Sequence, residues 1–527
     1  MLNAEKCASL AWLEGRTYPS DELNEAWKKI LFNGFHDLAA GSGAGPVYKD
    51  AANDFEQLGW ATNEITSAAL GAIASEIDTR VVSGVPVLVF NPLAWPRDGV
   101  VEVTVQLPAA GSGIAVLDSQ DRSLPFVILS KDESTHSYHL LVDAKQVPSL
   151  GYRVLHVIAH AQPFPSDLKV HGFTLENDVV RVTVDPKTGC ITSLYDKKAN
   201  FETLAAGSCG NQLLAYIDTP TAWDAWNINP NYERSPVDLG PAKSVRVLES
   251  GPMRAVIRVT HATQHSTFSQ DITLHAGADY VDVINDFDWH ESHVMLKAAF
   301  PLAASSAFAT YEIPYGTIER PTTRNNSWED AKFEVPAIRW ADLGNGHQGL
   351  SLINESKYGY DARGNVLRLT LLRSPMAPDP TADRGANVFS YALYPHGGDW
   401  KQALTMRRGY EYNYKLSAMQ VEPHAGALPQ EHSFLHVDPD TVVLTALKKA
   451  EDSNGLILRF YDWAGKTASV KIDVPPGASS ATETNLMEQP EGSALPVSAG
   501  RQITSTVHPY EIQTIKVSYP SDAGLHP

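Results

Sequence analysis

The chain has 527 residues, of which 43% are hydrophobic and 20% charged, and a formal net charge of −19 from 42 Lys and Arg against 61 Asp and Glu. This balance excludes wholesale disorder. Its acidity argues against nucleic acid as a partner, since phosphate backbones are repelled, while neutral ligands such as sugars are compatible with it.

No basic cluster of the kind that attracts an anionic membrane is present, and no apolar run approaches the ~20 residues of a membrane helix, so no membrane partner is expected. The opening MLNAEKCASLAWLEGR has neither the basic start nor the apolar core of a secretory leader. It reads as the direct start of a helix, which suggests a natural beginning upstream. Cys7, Cys190 and Cys209 are too few for a disulfide framework and none sits in a CxxC pair. A reducing, cytoplasmic location is the corresponding expectation.

Residues 1–80 read as three antiparallel helices. The first is short, near 2–13. In the second, from Ser20 to Phe35, the positions Leu23, Ala26, Trp27, Ile30 and Leu31 form one apolar stripe. Ser20 suits its start, and Asp21 and Glu22 suit the positive end of its dipole. The run LAAGSGAGP breaks the helix, and Pro46 opens the third. There Phe55, Leu58, Ile65, Leu70, Ile73 and Ile77 continue a stripe to about Asp78.

From Val81 the period changes to that of strands. VVEVTVQL alternates apolar and polar residues as a half-buried strand does. VVRVTVD, ITSLYD, AVIRVTHAT, YVDVINDFDW, LRLTLLR, LILRFYDW, SVKIDV and IQTIKV follow, with no helix of similar strength between them. Many short strands at this spacing predict β-sandwiches. The fold class expected is therefore multidomain and mostly β. Four domains are expected: a helical one over 1–80, a small β-sandwich over 81–165, a large β-sandwich over 166–435 and a C-terminal β domain over 436–520.

The sharpest local feature is Asn33-Gly34-Phe35-His36-Asp37. A neutral imidazole is a good zinc ligand, and the adjacent carboxylate can bind a sugar hydroxyl or the metal. Spacing alone favours a plainer reading, in which His36 complements a helix C-terminus and Asp37 starts a turn. One His-Asp pair cannot complete a site that needs three or four ligands. His290-Glu291-Ser292-His293 lacks the four-residue histidine spacing of a zinc helix and reads as a polar strand end. His436 and Asp438 also receive no metal role. Two loops could bind ligand or simply face solvent. They are Arg373 to Gly385, with Asp379 and Asp383, and the stretch holding Trp223, Trp226, Tyr232 and Arg234.

Several ordered stretches resemble glycoside hydrolase family 38, the α-mannosidases. AWKKILFNGFHDLAAGSGAGPVYKDA is similar to the family's N-Q-F-H-D-x-x-P-G-S helix, with Gly34 at its glutamine position and Ala40 at its proline position. VFNPLAWPR, LENDVVRVTVDPKTGCITSLYDKKA, DWHESHVMLKAAFP, IPYGTIERPT, SKYGYDARGNVLRLTLLRSPMAPDPTADRG, LKKAEDSNGLILRFYDWAG, TNLMEQP and PYEIQTIKV follow in the family's order. The large sandwich implied is galactose-mutarotase-like.

The resemblance implies zinc-dependent, retaining hydrolysis of α-mannosides, with one divalent ion as cofactor. It makes His36 a metal ligand and Asp37 a substrate-binding carboxylate. Tyr315, Arg373 and Arg384 are candidates for the substrate rim. The family's nucleophile, general acid and remaining zinc ligands lie in an N-terminal barrel that does not precede Met1. This chain is thus expected to be inactive alone, with that barrel as its missing partner, and to self-associate through the surface the barrel would cover. The alternative is a stand-alone carbohydrate-binding or structural β-sandwich module. A third reading, an epimerase or lyase on a similar sandwich, lacks an identifiable constellation.

Overall fold

The computed structural model describes residues 1–109 and 111–520. They form two compact units: residues 1–32, 53–165 and 414 onward in one, and 33–52 with 166–413 in the other. The four segments expected from the sequence are distributed over these two units.

In the first unit, α1 (Leu2–Leu13) and α2 (Ser20–Asn33) match the expected first two helices. Ala4 and Ala8 of α1 pack on Leu23 of α2 and on Ile65, and Glu5 accepts the Trp27 indole N–H at 2.9 Å. The second expected helix does not run on to Phe35. It stops at Asn33, and a separate turn, α3 (His36–Ala39), follows. The third expected helix is α4 (Gly45–Ala74). Its expected stripe is covered only in part. Ile65, Leu70 and Ile73 are buried, whereas Phe55 is 49% exposed.

Four antiparallel sheets make up the rest of this unit among the described residues. The strand Arg97–Gln106 shows the predicted alternation of buried and exposed positions. It pairs with Ser137–Val147, and that strand pairs with Phe126–Asp132. The facing sheet centres on Val85–Asn91 paired with Gly151–Ile158. Val87, Val89, Val103, Val105, Leu140 and Leu155 interdigitate between the two. A second sandwich, built around Gly455–Asp462 and Ala468–Asp473, shares a core with Leu10 of α1 and Ile73 of α4.

The second unit is a large antiparallel β-sandwich. Among the described residues, one sheet has nine strands, running from Ser244–Ser250 at one edge to Gly316–Pro321 at the other. A six-stranded sheet faces it, with Gln212–Ile217, Val294–Pro301 and Val366–Leu372 as neighbours. The core between them holds Ile257, Ile272, Val283, Phe287, Trp289, Leu296, Phe300, Leu369 and Tyr391, all essentially inaccessible to water. Each such side chain contributes about 1.5–3 kcal/mol of burial.

Two helices here were not expected, α5 (Ser327–Asp330) and α6 (Thr405–Asn413). Thr405, Met406, Gly409, Tyr410 and Tyr412 of α6 are buried. Its polar composition, TMRRGYEYN, hid it, because tertiary packing rather than propensity holds so short a helix.

The cysteine reading is corrected. Cys190 and Cys209 form a disulfide, 19 positions apart. They lie next to Ile191 and Gly210, which pair as an isolated bridge, so the backbone already holds the two residues side by side. Cys7 is a buried free thiol, and burial pushes its pKa up to about 12. No helix among the described residues is long and apolar enough to cross a membrane.

Candidate functional site

The second unit brings its chemistry together where α3 and two strand-connecting loops meet. Helix α2 ends, Gly34 and Phe35 redirect the chain, and His36 starts α3 with Phe35 as its N-cap. The chain then turns back at Gly41, whose φ of +81° suits glycine. The buried Ser42 donates its amide to the Asp37 carbonyl at 2.9 Å and its hydroxyl to Asp37 Oδ1 at 3.1 Å. The start of α4 passes so close to the second loop that a Cβ on Gly45 would lie 3.1 Å from Asp379 Oδ1.

The His36 side chain is 79% exposed, with Nε2 3.5 Å from Asp37 Oδ2. Its ring lies 4.2 Å from that of Phe35, centroid to centroid. The other Asp37 oxygen, Oδ1, also accepts the Trp226 indole N–H at 3.2 Å. One oxygen is therefore held by Ser42 and Trp226, and the second is turned toward His36. His36 thus opens α3 rather than ending α2, and its side chain is exposed.

Trp226 belongs to the loop after strand Gln212–Ile217, and Arg373 organises that loop. Its Nε donates to Asp218 Oδ2 at 2.6 Å, Nη1 to the Ala225 carbonyl at 2.9 Å and Nη2 to the Asp224 carbonyl at 2.6 Å. It also donates to the Asn227 carbonyl. The guanidinium is thus spent on protein acceptors, and the Asp218 side chain it pairs with is 1% exposed. Asp224 Oδ2 in turn accepts the amides of Met376 at 2.7 Å and Ala377 at 3.1 Å, and lies 2.9 Å from His293 Nε2. Burial opposes ionisation of Asp224, but these donors and the imidazole outweigh it and hold its carboxyl below the usual range.

Asp383 Oδ2 accepts the amides of Arg373 and Ser374, which closes the second loop. Trp223, His293, Ser374 and Asp383 all have positive φ, between 53° and 61°. Such backbone persists only where the surroundings over-determine it, and it concentrates at functional sites.

The remaining candidates are placed elsewhere. Arg384 donates to the Ser292 hydroxyl beside His293 and lies 3.8 Å from Met376 Sδ, so it borders the same loop. Tyr315, with φ 58° and 39% exposure, sits in the turn joining Phe308–Ile313 to Gly316–Pro321. The reading of His290 to His293 as a polar strand end omitted the role of His293 as partner to Asp224. Asp218, Asp224 and Ser374 were not singled out either; Asp224 and Ser374 lie within the two loops noted in the sequence, and Asp218 lies just outside them.

His36 and Asp37 fit as two donors of a site that needs three or four. Among the described residues no group of three or more His, Cys, Asp or Glu side chains could hold a metal ion.

A large two-sheet β-sandwich whose loops frame an exposed His-Asp turn does not by itself define a function. Comparison with known proteins narrows this. Residues 175–381 match the glycosyl hydrolases family 38 C-terminal domain, residues 441–515 its C-terminal beta sandwich domain and residues 1–73 the alpha mannosidase middle domain. The chain belongs to glycoside hydrolase family 38. It is 33% identical over 513 residues to Alpha-mannosidase 2C1 of Mus musculus, covering 94% of this chain and 46% of that protein. It is 27% identical to Alpha-mannosidase of Saccharomyces cerevisiae, covering 86% of this chain and 39% of that one. An alpha-mannosidase structure from Enterococcus faecalis superposes with a TM-score of 0.81 at 17% identity, over 97% of this chain and 65% of that chain. That last likeness concerns the fold. The chain spans about half the length of the curated relatives it matches.

Proposed function

We propose that this chain forms the helical and β-sandwich part of a zinc-dependent, retaining α-mannosidase. His36 supplies one metal ligand, and Asp37 orients the sugar. The observation that carries the reading is the His36-Asp37 turn. It is exposed, set apart from α2, and its carboxylate is fixed through Oδ1 by Ser42 and Trp226.

In retaining hydrolysis one carboxylate attacks the anomeric carbon while a second protonates the departing oxygen, and the two lie roughly 5 Å apart. The second then takes a proton from the water that releases the sugar. We assign both carboxylates to the catalytic barrel of the family, so that this chain completes the site rather than performing the bond cleavage. A zinc ion, when bound, supplies a charge that holds sugar hydroxyls. His36 would hold it, and the oxygen of Asp37 facing His36 would take a hydroxyl or the ion. Arg373 acts by positioning, because its donors hold the loop that carries Trp226. Arg384 and Tyr315 are assigned to the rim of the substrate path. The expected cytoplasmic location loses its cysteine argument with the Cys190–Cys209 disulfide.

The test is aryl α-mannoside hydrolysis by the 527-residue chain, and by an enzyme in which the family's barrel is joined to it. The chain alone should release no mannose. In the joined enzyme, activity should require zinc, and His36→Ala or Asp37→Asn should lower kcat/KM by about 100-fold or more, in line with loss of a metal ligand or its support. Release by the chain alone, or full activity in both variants, would overturn the reading.

A further inference from the structure

We propose that Trp223 and Trp226 form a second sugar subsite beside Asp37, which stacks the neighbouring pyranose ring of an extended α-mannoside. This rests on the α-mannosidase reading and extends it to substrate length.

The first observation is exposure. Trp95, Trp289, Trp340 and Trp463 are fully buried, whereas Trp223 is 69% and Trp226 51% exposed. Leaving an indole in water forgoes the burial that usually stabilises it.

The second is rigidity. The loop carrying these rings is held by Arg373 through three carbonyls, by Ala225 N–H to the Ala377 carbonyl at 3.1 Å, and by the Asn227 amide to the Trp223 carbonyl at 2.8 Å. Asp224, between the two tryptophans, turns inward onto Met376, Ala377 and His293. A bulky residue at φ 61°, as Trp223 is, costs free energy that such a frame must offset. A fixed aromatic surface loses little conformational entropy when it binds.

The third is position and shape. The rings meet edge-to-face, 80° apart with centroids at 6.0 Å, and make an open corner. The Trp226 N–H is bonded to Asp37 Oδ1, so the corner abuts the carboxylate assigned to the reacting sugar. The C–H face of a pyranose is apolar and flat enough to lie on one indole, while its hydroxyl rim stays in water.

The experiment compares methyl α-mannoside with a linear α-mannotriose on the intact chain, by titration calorimetry and saturation-transfer NMR. The trisaccharide should bind at least about tenfold more tightly, the gain expected of one stacked ring. Trp223→Ala should reduce trisaccharide affinity to that of the monosaccharide, and Trp223→Phe should retain most of the gain. Equal unfolding midpoints would show that both variants fold.

A trisaccharide bound no more tightly than the monosaccharide, or tightly but without regard to Trp223, would overturn the subsite. So would absence of binding by either sugar, or self-association that Trp223→Ala abolishes with no sugar effect. The α-mannosidase reading is judged separately. If Asp37→Asn weakens the monosaccharide and the trisaccharide gains nothing, only the subsite falls. If stacking is seen but the joined enzyme hydrolyses no α-mannoside, the catalytic reading falls and the tryptophan corner stands as a sugar-binding surface.

Discussion

Replacing Arg373 by alanine should destabilise the second unit by about 3–5 kcal/mol, the cost of leaving one member of a buried ion pair alone. The Arg373 and Asp218 side chains are 16% and 1% exposed and meet at 2.6 Å. Without the guanidinium, the Asp218 carboxylate keeps, among the described residues, the Asn229 amide on Oδ1 at 2.8 Å. The carbonyls of Asp224, Ala225 and Asn227 lose their donor as well, although these losses overlap and do not sum. With a urea dependence of about 2–3 kcal/mol per M, the midpoint should fall by roughly 1–2 M. Arg373→Lys keeps the charge opposite Asp218 but lacks the fork, and should lose only about 1–2 kcal/mol. Tryptophan fluorescence reports unfolding, and amide exchange over 218–229 reports the loop. An Arg373→Ala chain with the native midpoint and native exchange in that segment would refute the clamp.

Two further predictions concern the same unit. His396 is buried with Nε2 2.7 Å from Asp342 Oδ2, and although burial opposes protonation, that carboxylate raises its pKa above the ordinary value. Its stabilisation is therefore complete below about pH 6.5 and lost as pH rises through the elevated folded-state value. Melting temperature against pH should fall less steeply above pH 6.5 in His396→Gln than in the native chain, and parallel curves would contradict this. Reducing Cys190–Cys209, which closes a loop of 19 positions, should cost about 3 kcal/mol. Without reductant, a thiol reagent should find nothing in the native chain and one group, Cys7, after unfolding; three groups would contradict the disulfide.

The elements written in local sequence were the legible ones. Period-3.6 stripes gave α2 and the buried half of α4, and alternation gave strands such as Arg97–Gln106 and Val180–Val184. His36 and Asp37 drew notice because they are adjacent and sit where a helix must break, but only the family resemblance gave them a role, since spacing alone favoured a plain helix end. The frame around them was not legible. Asp224 meets His293 across 69 positions and Asp218 meets Arg373 across 155, and no local period encodes such pairings. Cys190 and Cys209 escaped for a related reason, since strand pairing rather than motif spacing makes them neighbours. Arg373 was noticed as a polar loop residue that could face ligand, and the structure turns it inward. Composition cannot distinguish an arginine that greets substrate from one that holds the loop doing so.

The 155-position span between Asp218 and Arg373 also sets a timetable for synthesis. At roughly 5–20 residues per second, the ribosome emits the tryptophan segment about 8–30 s before the arginine that will fasten it. For that interval two large indoles are borne on a strand-connecting loop without its anchor. A nascent chain in this state carries two unanchored indoles, and the sandwich closes only when the strand Gly385–Gly397, made later still, joins the nine-stranded sheet.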